Sequence, residues 1–168
     1  MNAFLVAYAT KHGSTAEIAA AIGEGLRRAG HVADVVAARE VRDVSAYRAV
    51  VLGSAVYMDK WQGDAVDFLQ RFESDLQKRP TWLFSSGPTG GTPDAERKVA
   101  LALASEKSEP PGDVAGHSRW IGVRGHATFG GRIGEDMRGW LERWMPRGDW
   151  RDFDRVRTWA GSIAADAR

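Results

Sequence analysis

Residues 3–15 read AFLVAYATKHGST. The first seven positions are almost wholly apolar, as expected of a short strand covered on both faces. The following segment, STAEIAAAIGEGLRRAG, sets Ile18, Ala21, Ile22 and Leu26 at helical spacing and ends at Gly30, a natural helix stop. Between strand and helix lies a polar hinge made of Thr10, Lys11, His12, Gly13, Ser14 and Thr15. A hinge that opens a helix presents unpaired backbone N–H groups and the positive end of the helix dipole. Thr10, Ser14 and Thr15 add hydroxyl donors, and Gly13 lets the backbone approach a ligand closely. This chemistry suits a phosphate dianion. The hinge lacks the Lys-Ser/Thr pair of a nucleotide-triphosphate loop, and it is not a GxGxxG dinucleotide turn. A second reading is compatible with the first: Ser14 caps the helix and Glu17 closes a capping box.

Working outward, strand and helix periods alternate. HVADVVAA (31–38) is a second strand candidate, and RAVVLGSAV (48–56) a third that stops near Gly53-Ser54. GDAVDFLQRFESDLQKR (63–79) places Ala65, Val66, Leu69, Phe72 and Leu76 on one helix face. TWLFSS (81–86) follows Pro80 as a strand, and GPTGGTP is a loop signal. DAERKVALALASEK (94–107) reads as a helix broken by EPPGD (109–113). A fifth strand falls within RWIGVRGHATFGGRI (119–133), and FDRVRTWAGSIAADA (153–167) makes the last helix. Five strands alternating with helices predict an α/β fold with an open parallel sheet and helices on both faces. One domain over residues 1–168 is the economical reading.

Composition narrows the function. With no cysteine there is no disulfide, thiolate cluster or redox thiol, and four scattered histidines argue against a zinc site. A net charge of +1 without a basic, aromatic-bearing run argues against nucleic acid. No run of 18 apolar residues and no signal-peptide pattern occurs, so a cytoplasmic location is expected.

In an open parallel sheet, ligands sit outside the carboxyl ends of the strands. The segments TKHGST, SAVYMDKW, SSGPTGG and FGGRI all follow strand ends and would share one edge. In the second, Tyr57 or Trp61 could cover a flat heterocycle, or pack on a neighbouring helix. In the third, backbone amides between Ser85 and Gly91 could meet the polar rim of such a ring.

With these pieces in place, the chain resembles a flavodoxin over its whole length. More narrowly, YATKHGSTAEIA, VVLGSAVYMDKWQGDAVDFL, HATFGGRI and GDWRDFDRVRTWA are similar to the branch that includes menaquinone-dependent protoporphyrinogen dehydrogenase. The resemblance implies a three-layer sandwich with strand order 2-1-3-4-5 and non-covalently bound FMN. It implies that Thr10, Lys11, His12, Gly13, Ser14 and Thr15 bind the FMN phosphate. Ala55, Val56, Tyr57 and Met58, with Ser86, Gly87, Pro88, Thr89, Gly90 and Gly91, would flank the isoalloxazine ring. It further implies an oxidoreductase with a quinone-like or porphyrinogen-like partner; the alternative is a single-electron shuttle between redox proteins. No residue is singled out as catalytic. The second loop has no glycine between Gly53 and Gly63, and Val56 is ill suited to positive φ, which favours two-electron chemistry. The segment RGWLERWMPRGDWR (138–151) reads either as core or as a basic aromatic surface. In the second case Trp140 and Trp144 would touch a flat substrate or the inner face of a membrane.

Overall fold

The computed structural model describes residues 3–87, 110–133 and 148–167. In chain order its elements are β1 (Ala3–Ala9), α1 (Ser14–Arg28), β2 (Val32–Ala37), β3 (Tyr47–Tyr57), β4 (Lys60–Trp61) and α2 (Gly63–Leu76). They continue with β5 (Thr81–Gly87), α3 (Gly112–Ile121), β6 (Gly125–Gly130), β7 (Arg132–Ile133), β8 (Gly148–Asp149) and α4 (Phe153–Asp166). Five strands pair in parallel in the order β2-β1-β3-β5-β6. Counting those strands alone, this is the expected 2-1-3-4-5 order. One addition was not foreseen: β4 folds back antiparallel on the end of β3, so the sheet has six strands.

The alternation of β1 explains the layers. Phe4 and Val6 face a core shared with Ile18, Ile22 and Leu26 of α1 and with Val156, Ala160 and Ile163 of α4. Leu5, Ala7 and Ala9 face the other core, with Phe68, Leu69 and Phe72 of α2 and Val114 and Ile121 of α3. Each strand residue thus alternates between two buried faces, which is why β1 and β3 read as apolar runs. Helices α1 and α4 meet where a Cβ on Gly25 would lie 2.7 Å from that of Ala160.

Helix α3 departs from expectation. EPPGD reads as a breaker, yet Pro111 is the N-cap of α3 and the helix starts at Gly112. Proline is tolerated at a helix start because its missing N–H has no intrahelical partner there. The expected helix over 94–107 lies outside the described residues.

Gly53 gives a direct test of the packing. It pairs in register with Phe84 of β5, and a Cβ at position 53 would overlap the Phe84 ring. Gly53→Ala should cost at least about 1–3 kcal/mol. The expected sign is a lower urea midpoint with the slope unchanged; an unaltered midpoint would contradict the packing described.

Candidate functional site

The hinge after β1 is built from its own backbone. Gly13 has φ +87, a left-handed conformation that favours glycine, and its N–H donates to Thr10 Oγ1 at 2.9 Å. Gly13, not Ser14, is the N-cap of α1, and it has no side-chain cap. The capping-box reading is therefore corrected. Ser14 Oγ instead accepts the N–H of Arg132 at 3.2 Å, and the Glu17 carboxylate is held by Arg151. Thr15 is 1% exposed, and its hydroxyl has no hydrogen-bond partner among the described residues. A buried hydroxyl without a partner costs free energy. Here it sits in the first helical turn, where the leading amides also lack intrahelical acceptors. This donor set fits an oxyanion. Lys11 is exposed, and its ammonium lies 4.1 Å from the centre of the Tyr57 ring, a cation–π contact that joins the first and second loops. His12 is half-buried in the same turn.

The second loop is shorter than expected because β3 continues through Ala55, Val56 and Tyr57. Met58 and Asp59 alone make the turn into β4, and Tyr57 pairs with Lys60. Both turn residues have positive φ, 51° and 59°, as the two central positions of a type I′ hairpin require. The expectation that a glycine-free loop avoids positive φ is thus overturned. Strain of this kind costs about 1–3 kcal/mol per residue and persists only where the surroundings enforce it.

Trp61 supplies that enforcement. Its buried indole donates to Ser85 Oγ at 2.9 Å, and Ser85 Oγ lies 2.8 Å from His126 Nε2, so β4, β5 and β6 are tied by one hydrogen-bond chain. The Trp61 N–H donates to the Asp113 carboxylate at 3.1 Å, and the Gln62 N–H to Ser54 Oγ at 2.9 Å. Of the two readings for Trp61, packing is the observed one. At the tip, Met58 is 76% exposed.

The third segment is also more regular than a loop. β5 runs through Ser85, Ser86 and Gly87, with both serines buried. Pro88, Thr89, Gly90 and Gly91 lie outside the described residues, as do Trp140 and Trp144. The Gly87 carbonyl accepts the Gly131 N–H at 2.7 Å, and the Gly131 carbonyl accepts the Trp150 N–H at 3.1 Å. The strand-end segment FGGRI therefore lies between the hinge and the end of β5, as its place after β6 suggested. What sequence reasoning missed is Arg132 and Arg151. Nothing in their local pattern marks them, because the contacts that bring them to α1, Arg132 with Ser14 and Arg151 with Glu17, span more than a hundred positions. Among the described residues no group of three or more His, Cys, Asp or Glu could hold a metal, and no helix is long and apolar enough to cross a membrane.

The role of Trp61 as an anchor is testable. Trp61→Phe keeps the bulk and deletes the indole donor, and should cost about 1 kcal/mol or more in urea unfolding followed by circular dichroism. Unchanged stability would mean that the N–H contact does not hold the hairpin.

Comparison with known proteins agrees with this fold. No curated protein matched the chain. Among solved structures, oxidised flavodoxin 2 from Bacillus cereus superposes with a TM-score of 0.65 at 21% identity, over 97% of this chain and 98% of that one. A short-chain flavodoxin associated with a non-canonical PDU bacterial microcompartment gives a TM-score of 0.66 at 15% identity, over the full length of both. Rubredoxin oxygen:oxidoreductase from Desulfovibrio gigas gives 0.65 at 15% identity; 99% of this chain is covered but only 36% of that one. At such identities the likeness speaks for the fold alone. The family model of the flavodoxin domain matches residues 5–147. The chain therefore belongs to the flavodoxin-domain family, and its cofactor is FMN.

Proposed function

We propose that this chain is an FMN-dependent oxidoreductase whose flavin is bound non-covalently and exchanges electrons with a quinone-like or porphyrinogen-like small molecule. The observation that carries the flavin part is the donor set at the start of α1, where the buried Thr15 hydroxyl lacks a partner among the described residues, beside first-turn amides. On this reading Thr10 to Thr15 hold the phosphate. The end of β3 with Met58, and the end of β5 with the residues up to Gly91, flank the ring. FMN supplies the redox chemistry, while the protein binds and orients it. The chain's own contribution is a wall held in place: Lys11 bridges to Tyr57, and Trp61 pins the hairpin from below. Membrane contact through Trp140 and Trp144, like the single-domain reading of residues 1–168, rests on sequence pattern alone.

A specific observation favours a second reading, the single-electron shuttle. The hairpin already holds left-handed backbone at Met58 and Asp59 without glycine, so the loop argument for two-electron chemistry loses its premise. The exposed Met58 at the same tip is also the kind of apolar contact that a redox-protein partner covers.

Two measurements test these readings. The flavin-stripped protein should bind FMN at least tenfold more tightly than riboflavin by fluorescence quenching, since each charge-assisted contact to the phosphate is worth roughly 1.5–3 kcal/mol. Equal affinities would remove the phosphate assignment. In stopped-flow reoxidation of the anaerobically reduced protein, a soluble quinone should show saturable kinetics. If a quinone reacts only at an unsaturable rate while a one-electron redox protein saturates, the shuttle reading replaces the first.

A further inference from the structure

We propose that Arg132 is a specificity-determining ligand for the phosphoryl group, supplying a guanidinium at the helix start in addition to the hinge's own cation, Lys11, which is turned to the Tyr57 ring. The proposal rests on the reading of Thr10 to Thr15 as the phosphate end of the flavin site.

The placement comes from the backbone. The Arg132 N–H donates to Ser14 Oγ at 3.2 Å, so the residue is moored to the first residue of α1, next in sequence to Thr15, whose hydroxyl has no partner among the described residues. One position earlier, Gly131 is hydrogen-bonded to Gly87 at the end of β5. Arg132 thus lies between two of the strand-end segments that border the site.

The charges around it leave its guanidinium available. In the β7–β8 ladder Arg132 is opposite Asp149, the natural ion-pair partner. That carboxylate is already taken by Arg151, through Nε to Oδ1 at 2.8 Å and Nη2 to Oδ2 at 2.6 Å. Glu17, the acidic residue in the first turn of α1, is bound by the same Arg151. Arg151 has a side chain only 8% exposed, so it is a fixed strut that occupies both carboxylates. Arg132 is exposed and has no carboxylate partner among the described residues. A guanidinium offers planar, bidentate donors matched to a phosphate, unlike a point ammonium. Lys11, the nearest cation in the hinge itself, is engaged with the Tyr57 ring. The arrangement neutralises the two acids near the helix start and leaves one arginine there for an anion.

The test compares FMN and riboflavin binding to the flavin-stripped full chain, as wild type, Arg132→Gln and Arg132→Lys, at low and high salt. Because Arg132 reaches Ser14 through its backbone N–H, substitution keeps that tie, and circular dichroism checks the fold. Arg132→Gln should weaken FMN about ten- to hundredfold, leave riboflavin within twofold, and flatten the salt dependence of FMN binding. Arg132→Lys should recover part of the loss. If the wild type prefers FMN and Arg132→Gln keeps the full preference and salt dependence, the proposal is overturned while the phosphate cradle stands. An equal loss of riboflavin binding in Arg132→Gln would also overturn it, since the residue would then act on the fold. If the wild type itself does not distinguish the two flavins, the cradle reading fails first and the role of Arg132 with it.

Discussion

Everything at the candidate site depends on β1 being enclosed. It has β2 on one edge and β3 on the other, and Phe4, Leu5, Val6 and Ala7 are fully buried between two helical layers. A strand so placed is apolar from Ala3 to Ala7 and carries a single polar side chain, the partly buried Tyr8, near its end. Polar chemistry can begin only where the strand ends, at Thr10. Parallel pairing then sends β3, β5 and β6 out at the same edge, because right-handed crossovers return each helix to the opposite end of the sheet. The loops meet there because the sheet leaves them nowhere else to emerge.

The site is held together by long-range contacts that work against local strain. The hairpin tip carries two left-handed residues, which local sequence alone would disfavour. It persists because Trp61 is fastened to Ser85, to Asp113 and, through Ser85, to His126. The β7–β8 pair is held in a comparable way by Arg151, which reaches Glu17 and Asp149 together. Trp61 is buried and bonded through both its indole and its backbone N–H, and the nearly buried Arg151 side chain meets two carboxylates, so each fixes a position more firmly than an exposed ion pair would. The hairpin and the β7–β8 ladder beside the candidate site are therefore held by different contacts. One is pinned from the sheet and the other from α1.

The sequence and the structure divide these findings along a physical line. The five parallel strands and helices α1, α2 and α4 were legible because burial on one or two faces forces a period onto the residues, and a period can be read. The hinge at Thr10 to Thr15 was legible as a strand-to-helix turn because glycine and hydroxyl residues interrupt the apolar period where β1 ends and α1 begins. Helix α3 was missed because a proline pair reads as a break, and only the packing of Val114 and Ile121 shows that a helix opens there. The Ser14 capping box was misread because the Ser14 hydroxyl and the Glu17 carboxylate found distant partners instead of local ones.

By itself, then, the sequence determined the layered parallel sheet, the edge at which the polar strand-end segments gather, and the hydroxyl- and glycine-rich make-up of the first loop. All three follow from short-range pattern and from the requirement to bury apolar strands. Tertiary structure alone decided that Trp61 is an anchor, that the second loop is a strained two-residue turn, and that Arg132 stands at the start of α1. These depend on contacts between residues far apart in the chain, such as Ser14 with Arg132 or Trp61 with Ser85. No local period records them, because the energy of a single hydrogen bond does not constrain its neighbours in sequence.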